Sequence, residues 1–429
     1  MEKIVIIGGG AGGIGLATRL GRRLGRRGKA HVTLVDHSES HLWKPLLHEL
    51  ATGALDEGID AISFRGHARA NGYHFQQGSL ADIDRERREV VLASLHDRGR
   101  ELLPERRIGF DFLVIAIGSV ANDFGIPGVK EHCVFLDNAE QALDLRSQLR
   151  NRFLGYASHH QPDHPIRIVV VGAGATGTEL AAEMHHAVDQ LRGFGFRITP
   201  ALFEVTLIEA ADLILPRLDR PGISESVTQQ LARIGVTIRT ATRVVRVEPE
   251  RVHLEDADPM PADIVIWSAG VKAPDFLAGI GGLETNEFNQ LAVRPTCQTT
   301  RDDRIFAIGD CCACPQEDGS LVPPRGQAAR QMGHLVAANI RRMLNNRPPS
   351  KEYVYRDLGS LVNLSRFHTV GNLFSFVGGG FKVEGRIARL AYVSLYRRHL
   401  IEVYGPFRGL LMLALKALNR WIRPHLKLH

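Results

Sequence analysis

The sequence has few cysteines and no long apolar run, and each shortage excludes a class of protein. Five cysteines in 429 residues, three of them at positions 311, 312 and 314, do not make a disulfide framework and indicate a reducing compartment. No run of 18 apolar residues occurs, so we expect no transmembrane helix and no route for pumping ions. Because the first apolar strand begins almost at Met1, we also expect no signal or transit peptide.

Positive charge is concentrated near the end of the sequence. Residues 381–429 hold ten lysines and arginines against two acidic residues, whereas the preceding 380 residues carry a net charge of −2 within a total of +6. The larger part of the chain therefore lacks the basic surface of a nucleic-acid-binding protein, and we expect no nucleic acid partner. A length of 429 residues indicates two or three domains.

The stretch Lys3–Gly13 predicts a buried strand that leads directly into a glycine turn. Ile4–Ile7 are apolar without interruption, as in a parallel strand that is covered on both faces. Gly8, Gly10 and Gly13 have the G-x-G-x-x-G spacing, which permits a tight turn, close approach to a pyrophosphate and close packing of the next helix. The stretch therefore predicts a dinucleotide site.

The residues after this turn fit the same interpretation. A predicted helix over 14–24 would direct its free N–H groups at the phosphates. A second strand over 31–35 ends at Asp36, whose carboxylate can accept hydrogen bonds from the adenosine ribose. The irregular segment 40–53, which includes Trp43, is either core or a cover for a flat cofactor ring.

The combination of strand, glycine turn and helix occurs a second time. Gly172, Gly174 and Gly177 repeat the glycine spacing after an apolar strand over 166–171. Internal repetition is a stronger signal than either copy alone, because two independent matches to one pattern rarely arise by chance. We therefore expect a second dinucleotide site.

The acidic strand end of the second copy is Glu209, reached after an insertion over 191–203 that we expect to be a loop or hairpin. No arginine directly follows Glu209, so we expect NADH rather than NADPH there. Two further apolar strands end at Gly118 and Gly270, where the missing side chain lets the backbone lie against a cofactor. Two dinucleotide folds imply two dinucleotides, and the economical interpretation is FAD in one and a nicotinamide in the other.

Two polar sites follow the second copy. Asp310 ends a strand over 304–309 at the predicted mouth of a helix, where it can bind the ribitol hydroxyls of FAD; the alternative is a plain helix cap. Gln327 and Gln331 are four residues apart on a predicted helix, so they share one face. Their amides can hydrogen-bond a quinone carbonyl without ionisation. The alternative is a pair of solvent-facing glutamines.

The end of the sequence predicts two short basic helices, over 387–400 and 409–422, separated by Gly405 and Pro406. Their mixture of bulky apolar and basic residues is typical of helices that lie in an anionic membrane surface and do not span it. Each lysine or arginine near such a surface contributes about 1 kcal/mol to binding. The alternative is a docked C-terminal helix or a homodimer contact.

Together these motifs resemble those of the bacterial type II NADH:quinone oxidoreductases. In chain order, the motifs that carry the resemblance are the first glycine turn, His41–His48, the second glycine turn with Glu179, Ala307–Asp310, the Gln327/Gln331 helix, Glu384–Arg389 and the ending Arg423–His429. The resemblance implies a single-subunit, non-pumping FAD enzyme on the cytoplasmic face of the bacterial membrane, which passes electrons from NADH to membrane quinone. Its α/β fold would consist of two interleaved Rossmann-like domains, as in two-dinucleotide-binding-domain flavoproteins, with a C-terminal amphipathic membrane-binding region.

The resemblance also implies roles for individual residues. Glu179 would lie near the nicotinamide and flavin rings, and Gln327 and Gln331 would lie at the quinone headgroup, so these three are the predicted catalytic residues. Further cofactor contacts are assigned to Lys44, Pro45, Gln327 and Ala328. Glu384 takes a position where some relatives carry lysine, which leaves the charge near the flavin open.

The same patterns give domain limits. We expect an FAD-binding domain over 1–128 and 289–349, an NADH-binding domain over 129–288, and a membrane-surface region over 350–429.

Two other functions fit parts of the sequence. A sulfide:quinone oxidoreductase needs a cysteine pair at the flavin, but Cys133 and Cys297 are not in a redox motif, and the first helix lacks a C-x-x-x-x-C pair. A membrane-bound NADH-sensing flavoprotein without turnover would not need the paired glutamines. The crowded Cys311, Cys312 and Cys314 could bind a soft metal, but the sequence offers no second ligand cluster, and we assign no metal.

Overall fold

The chain forms two compact units, each assembled from three separate stretches. Unit 1 comprises Met1–Trp43, Ala61–Val120 and Val271–Asp357, and unit 2 comprises Lys44–Asp60, Ala121–Gly270 and Leu358–His429. The domain limits expected from the sequence stay a prediction. The computed structural model describes residues 1–158, 165–193, 203–216, 218, 222–349, 352–365, 368–373 and 381–422.

Helices account for much of both units. Those formed by the described residues are α1 Ala11–Arg23, α2 Leu47–Ala51, α3 Glu57–Asp60, α4 Phe64–Asn71, α5 Val129–His132, α6 Ala139–Ser158, α7 Ala175–Gly193, α8 Ile223–Arg233, α9 Gly326–Met343, α10 Gly385–Tyr404 and α11 Pro406–Ile422. Short 3-10 helices cover Gly25–Arg27, Lys44–Leu46, Asp275–Leu277, Ile280–Gly282 and Gly309–Cys311.

Strands alternate with these helices along the chain. In order, they are β1 Glu2–Ile7, β2 Ala30–Asp36, β3 Ser40–His41, β4 Ile62–Ser63, β5 His74–Gln77, β6 Leu80–Asp84, β7 Glu89–Leu92, β8 Leu95–Asp97, β9 Arg100–Leu103, β10 Arg106–Gly109, β11 Phe112–Ile115, β12 Val120–Ala121, β13 Cys133–Phe135, β14 Ile166–Val171, β15 Phe203–Ile208, β16 Val236–Arg239, β17 Val244–Glu248, β18 Arg251–Leu254, β19 Met260–Pro261, β20 Ile264–Trp267, β21 Val271–Lys272, β22 Leu291–Ala292, β23 Ile305–Ala307, β24 Cys312–Ala313, β25 Gly359–Leu364, β26 His368–Leu373 and β27 Phe381–Glu384.

Unit 1 is built on a five-stranded parallel sheet in the order β23-β11-β1-β2-β5. The central strand is β1, which pairs Ile4 with Phe112 on one side and with Val32 on the other. Its apolar run Ile4–Ile7 is at most 2% exposed, as expected for a strand covered on both faces. Because parallel strands end at the same edge, the residues that follow β1, β2, β11 and β23 lie close together.

Helices α1 and α9 of unit 1 pack closely because each carries glycine where they touch. A Cβ atom at Gly12 of α1 would lie 3.0 Å from the Ala329 carbonyl oxygen of α9. One at Gly333 of α9 would lie 3.2 Å from the Gly12 carbonyl oxygen. This packing fixes the start of α9, and with it the predicted quinone glutamines, relative to the first glycine turn.

Unit 2 contains a second five-stranded parallel sheet, in the order β13-β20-β14-β15-β16. Its central strand β14 pairs Ile168 with Ile264 and with Val205. Trp267 at the end of β20 is 2% exposed, and its indole N–H donates to the Asn122 carbonyl at 2.7 Å. The two parallel sheets confirm the predicted α/β fold with repeated Rossmann-like halves.

The last stretch of unit 2 is an antiparallel sheet followed by two helices. Strands β25, β26 and β27 pair in that order, and α10 packs against them. Sequence analysis missed this sheet, because β25 and β26 lack a clear alternation of apolar and polar residues and β27 is only four residues long. The two predicted C-terminal helices are confirmed as α10 and α11, which meet at Gly405. In the described part of the chain, no helix is both long enough and apolar enough to cross a bilayer.

Two local expectations need correction, and one falls largely outside the described residues. Helix α1 begins at Ala11, not at Ile14, because the first helical turn already includes part of the glycine motif. Asp310 does not stand at the mouth of a long helix; it lies in the 3-10 turn Gly309–Cys311. Of the predicted insertion over 191–203, the first three residues continue α7 as far as Gly193, and residues 194–202 lie outside the described part.

Candidate active site

The three glycines of the first glycine turn have two different structural roles. Gly8 has φ +99°, and a Cβ atom there would overlap the Ala116 carbonyl. A Cβ atom at Gly13 would likewise overlap the Gly8 carbonyl, so the chain's own backbone requires both glycines. At Gly10, by contrast, the nearest atom to such a Cβ is the Ala116 oxygen at 4.0 Å. Gly10 therefore leaves open space at the start of α1, where a side chain would fill the cradle expected for a pyrophosphate.

The acidic end of β2 is fixed onto this turn. One carboxylate oxygen of Asp36 accepts a hydrogen bond from the Gly9 N–H at 2.5 Å, and the other accepts one from the Ser38 N–H at 2.8 Å. Because both oxygens are held by backbone donors, the Asp36 side chain is oriented before any ligand arrives. This geometry suits the ribose contact predicted for Asp36.

The neighbouring strand ends bring Gly118 and Asp310 into the same region of unit 1. Strands β11 and β23 are paired, with Ile115 beside Ala307, so the residues after them are neighbours. The Ser119 hydroxyl donates to an Asp310 carboxylate oxygen at 2.9 Å. A Cβ atom at Gly118 would contact nothing within 4 Å, so this strand end also leaves room for a bound group.

The two predicted quinone glutamines lie on α9 and share one partner segment. The Gln327 amide donates to an Asp357 carboxylate oxygen at 3.1 Å. The Gln331 amide donates to the Arg356 carbonyl at 2.9 Å and accepts from the Arg356 N–H at 3.2 Å. An ion pair of 3.2 Å between Arg325 and Asp357 completes this contact. Sequence reasoning missed the segment, because nothing in its composition marks residues 356 and 357 as partners of the glutamines.

Ala328, the remaining predicted contact on α9, is 1% exposed. Its carbonyl oxygen lies 3.5 Å from the Tyr353 hydroxyl, which donates to it. The structure thus places Ala328 in the packed side of α9, next to Gln327.

The second glycine turn, in unit 2, repeats the geometry of the first. Gly172 has φ +100°, and a Cβ atom there would lie 2.6 Å from the Ala269 nitrogen. A Cβ atom at Gly177 would overlap the Gly172 carbonyl, whereas one at Gly174 would contact nothing within 4 Å. Gly172 and Gly177 are therefore required by backbone contacts, as Gly8 and Gly13 are, whereas Gly174 leaves open space, as Gly10 does.

Glu209 takes the place in unit 2 that Asp36 takes in unit 1. One carboxylate oxygen accepts from the Ala173 N–H at 2.8 Å and the other from the Ala211 N–H at 3.1 Å. Gly270, which follows β20, has φ +64°, and a Cβ atom there would lie 2.6 Å from the Phe124 ring. Gly270 is therefore required by its packing against Phe124, and the nucleotide contacts predicted for Gly172, Gly174, Gly177, Glu209 and Gly270 stay predictions.

Glu179 is buried one turn inside α7, with 8% of its side chain exposed. One carboxyl oxygen accepts from the Asn363 N–H at 2.9 Å, and the other lies 3.9 Å from Nδ1 of His48. Burial is the main effect that raises the pKa of Glu179 to about 8; the nearby carboxyl groups of Glu49 and Glu183 add to it, and the hydrogen bond from Asn363 opposes it. The group is therefore protonated at neutral pH, which sequence reasoning did not anticipate.

Lys44 and Pro45 lie in a 3-10 helix of unit 2 that leads into α2. The Lys44 ammonium makes an ion pair of 3.2 Å with Asp137, which also accepts from the Ala121 N–H at 3.0 Å. Asp137 thus links this short helix to Ala121 within unit 2. The predicted cofactor contacts of Lys44 and Pro45 stay predictions.

The crowded cysteines are buried thiols. Cys311 and Cys312 donate weakly to backbone carbonyls, and burial raises the pKa of Cys311 to about 11, so it stays a thiol at neutral pH. Burial also raises the pKa of Cys133 to about 12. Among the described residues, no group of three or more histidine, cysteine or acidic side chains is arranged to hold a metal ion.

The two glycine cradles with their acidic strand ends define a class: dinucleotide-binding oxidoreductases with two Rossmann-like halves. The sequence matches the pyridine nucleotide-disulphide oxidoreductase family over residues 2–333. It is also 43% identical to the type II NADH:quinone oxidoreductase of Haemophilus influenzae over 446 aligned positions, which cover 100% of both chains. The chain therefore belongs to the type II NADH:quinone oxidoreductase family.

One more distant relative has the same name, and two solved structures share the fold. The type II NADH:quinone oxidoreductase of Staphylococcus aureus is 27% identical over 410 positions, covering 94% of this chain and 96% of the relative. The fold is similar to that of NDH2 from Plasmodium falciparum in complex with NADH, with a TM-score of 0.83 at 17% identity, covering 99% of this chain and 100% of that one. It is also similar to the sulfide:quinone oxidoreductase of Aquifex aeolicus, with a TM-score of 0.74 at 20% identity and coverage of 94% and 91%. At these identities the structural likeness concerns the fold alone.

The open space at Gly10 and at Gly174 lets us predict the effect of an alanine at each position. Gly10 has φ −62°, which any residue adopts, so Gly10→Ala should fold normally but block the first cradle. We expect purified Gly10→Ala to lose most of its bound flavin, measured as flavin absorbance per protein. We expect Gly174→Ala to keep its flavin but to raise the KM for NADH by about tenfold, equivalent to about 1.4 kcal/mol. Each variant is the control for the other, and equal flavin content in both would contradict the assignment of the two cradles.

Proposed function

We propose that this chain oxidises NADH and reduces a membrane quinone to the quinol without moving ions across the membrane. The observation that carries the proposal is the full-length identity of 43% to a type II NADH:quinone oxidoreductase, combined with two separate glycine cradles. One cradle alone would fit many nucleotide-binding proteins. Two cradles in one chain fit a protein that holds a redox cofactor and binds a nicotinamide as its reductant.

FAD, when bound, supplies a redox centre that accepts a hydride and passes on two electrons. The residues of unit 1 fit this group. Gly10 leaves the space for its pyrophosphate, Asp36 is held ready for its ribose, and Asp310, supported by Ser119, is placed for the ribitol hydroxyls. All of these contacts come from the chain's own rigid strand ends, so the protein supplies position and leaves the electron chemistry to the cofactor.

The residues of unit 2 fit NADH. Gly174 leaves the space for the pyrophosphate, and Glu209 presents a carboxylate to the adenosine ribose. That carboxylate would repel the extra phosphate of NADPH, so we assign the preference for NADH to Glu209.

The reaction consumes one proton beyond the hydride that NADH delivers, and Glu179 is suited to hold it. The Glu179 carboxyl is protonated at neutral pH because burial disfavours its charge, and the Asn363 N–H fixes one of its oxygens. A protonated acid in a dry site can give up its proton in the reaction and recover it from solvent afterwards. We assign Glu179 this role.

The function is tested by mixing the purified flavin-containing enzyme with NADH and a water-soluble quinone. We expect NADH to bleach the flavin band within the mixing time, and added quinone to restore it with continued NADH oxidation. Sulfide as the only donor should leave the flavin oxidised, because Cys297, Cys311, Cys312 and Cys314 are at most 2% exposed and so cannot take up sulfide from solution. Bleaching without recovery on adding quinone would instead indicate an NADH-sensing flavoprotein without turnover.

Turnover should fall as the pH rises through about 8. A carboxyl group with a raised pKa keeps its proton until the pH passes that value, so the acid form of Glu179 is lost on the alkaline side. In Glu179→Gln, quinone-dependent NADH oxidation should drop by about a hundredfold, and this alkaline limb should vanish. Steady-state rates between pH 6 and pH 10 measure the effect. An alkaline limb that is unchanged in Glu179→Gln would contradict the assignment.

The paired glutamines on α9 are the proposed quinone contacts. Their two amides are four residues apart, and both face residues 356 and 357 at hydrogen-bond distance. Amide groups can exchange these partners for a quinone carbonyl without a change of charge, which suits a neutral substrate.

Replacing both glutamines should weaken quinone use selectively. We expect Gln327→Leu with Gln331→Leu to raise the KM for quinone by about thirtyfold, since about 1 kcal/mol is lost for each of the two hydrogen bonds. The rate of flavin bleaching by NADH, taken per bound flavin because Gln327 is also a predicted cofactor contact, should stay within about twofold, since neither amide is assigned a contact with NADH. Gln316→Leu, at a half-buried glutamine of unit 1 that donates to the Ser320 hydroxyl, is the matched control. A parallel loss of both half-reactions would point to damaged folding instead.

The C-terminal helices are the proposed contact with an anionic lipid surface on the cytoplasmic face. The exposed apolar side chains of α11 recur at helical spacing and so form one stripe. They are Phe407 at 82%, Leu410 at 60%, Leu411 at 53%, Leu415 at 52% and Leu418 at 51% exposure. On α10, Ile387 and Leu390 are 70% and 62% exposed. Apolar stripes of this size on basic helices fit a lipid interface, where burial of the side chains and the positive charge both favour binding.

Acidic side chains in this stripe should abolish lipid binding. We expect the whole chain to co-sediment with vesicles of phosphatidylglycerol and phosphatidylcholine, and Phe407→Glu with Leu411→Glu to bind at least about tenfold more weakly, since two buried apolar side chains are lost. Phe276→Glu, at an exposed phenylalanine of unit 1, is the control. If the double variant binds vesicles normally but loses a dimer seen by sedimentation, the stripe is a contact between two copies.

A further inference from the structure

Unit 2 contains a buried cluster of ionisable side chains around Glu179. The described residues bring it together from three helices and one strand. Its members are His48 and Glu49 on α2, Glu179 and Glu183 on α7, Tyr392 on α10, and the Asn363 N–H at the end of β25. Glu183 also receives a hydrogen bond from Ser365. The role proposed above concerns Glu179 alone, and the other members have no assigned part.

His48 faces Glu179 in a site that excludes water. The His48 side chain is 2% exposed, and its Nδ1 lies 3.9 Å from a Glu179 carboxyl oxygen. The Pro45 carbonyl accepts a hydrogen bond from the ring and so holds its orientation. Burial lowers the pKa of His48 to about 4, against the smaller effect of Pro45, so the imidazole is neutral where Glu179 is protonated. At neutral pH, Glu179 and His48 are therefore both uncharged and do not form an ion pair.

Tyr392 brings a hydroxyl to the same carboxyl groups from α10. Its oxygen is fully buried and makes no hydrogen bond to the described residues. Burial raises the pKa of Tyr392, and the carboxyl groups of Glu179, Glu49 and Glu183 raise it further. A buried hydroxyl without a partner is costly, so its presence beside three carboxyl groups requires a reason. No carboxyl oxygen of the described residues lies within hydrogen-bond distance of this hydroxyl, but a hydrogen bond to an ionised carboxylate is about twice as strong as one to a neutral carboxyl, so loss of the proton favours a movement of the hydroxyl onto a carboxylate.

We propose that His48 and Tyr392 are positioning residues that set the protonation of Glu179 from opposite sides. His48 keeps water away from the carboxyl and favours its neutral form, while the Tyr392 hydroxyl stabilises the ionised form. Glu49 is half-buried, whereas His48, Glu179 and Glu183 are buried, so Glu49 is the carboxyl group of the cluster that solvent can reach to return a proton. The inference rests on the proposed role of Glu179 in the reaction, and its test reads the carboxyl directly.

The test follows the carbonyl stretch of the protonated Glu179 by infrared spectroscopy during a pH titration of the full-length, flavin-containing enzyme. The band is identified by its absence in Glu179→Gln. In His48→Ala, water reaches the carboxyl, so the midpoint should fall by about one pH unit or more. His48→Gln restores bulk and a polar group and should recover part of this shift. In Tyr392→Phe, only the hydroxyl is lost, and the midpoint should rise by about half a unit or more.

The opposite directions distinguish positioning from damage. A looser fold would admit water and lower the midpoint in both variants. His253→Gln, whose ring bonds Glu248 outside the cluster, and Tyr404→Phe, on the same helix as Tyr392, are the matched controls and should leave the midpoint unchanged. Equal shifts in one direction, or no shift in either variant, would overturn the proposal.

Turnover measurements distinguish a failure of this inference from a failure of the role proposed for Glu179. The alkaline limb of quinone-dependent NADH oxidation should move with the infrared midpoint in each variant, while flavin bleaching by NADH stays within about twofold of the parent enzyme. If the midpoint moves and the limb does not, the assignment of His48 and Tyr392 stands, and the role proposed for Glu179 in the reaction is wrong.

Discussion

Close contact between backbone atoms at the ends of two parallel strands is the constraint on which both nucleotide sites depend. Where β1 turns into α1, the chain passes so near the Ala116 carbonyl that Gly8 cannot carry a side chain. Where β14 turns into α7, Gly172 meets Ala269 in the same way. In each case the tight turn sets the start of the helix beside the strand end and leaves an open position two residues further on. The acidic residue at the end of the next strand is then tied to the turn by backbone N–H groups, so the cradle exists before any ligand binds.

Burial decides the chemistry at Glu179. A carboxyl group in water is ionised at neutral pH, and a nearby cation would make it more so. Here the first effect is the loss of water around the side chain, which leaves the acid protonated and the facing His48 neutral. Unit 2 achieves this by closing the site with elements that are far apart in sequence, namely α2, α7, β25 and α10. The same arrangement explains why a charged pair does not form between two side chains that could carry opposite charges.

The sequence was sufficient to predict those parts of the fold in which a local residue pattern is compatible with only one backbone structure. Uninterrupted apolar runs followed by spaced glycines can be little else than strands entering nucleotide turns, and β1, β14, α1 and α7 are where these patterns predicted them, within a few residues. Asp36 and Glu209 could be proposed as ribose contacts because each stands at the end of its strand, Asp36 as the last residue of β2 and Glu209 directly after β15. Partners that meet only through the tertiary fold left no such trace: Asp357 on Gln327, Asn363 on Glu179 and the Tyr392 hydroxyl. The antiparallel sheet β25-β26-β27 was missed because short strands packed under a helix need no regular alternation.

In each cradle, the glycines that the backbone packing requires differ from the glycine that leaves space for a ligand. Gly8, Gly13, Gly172 and Gly177 are fixed by the backbone, so changing any of them deforms the protein itself. Gly10 and Gly174 meet no such barrier. A survey that ranks substitutions by cellular abundance would therefore score these two positions as tolerant, and one that ranks them by growth under respiration would score them as intolerant. Under the proposed assignment, folding and ligand binding depend on different glycines of the same short motif.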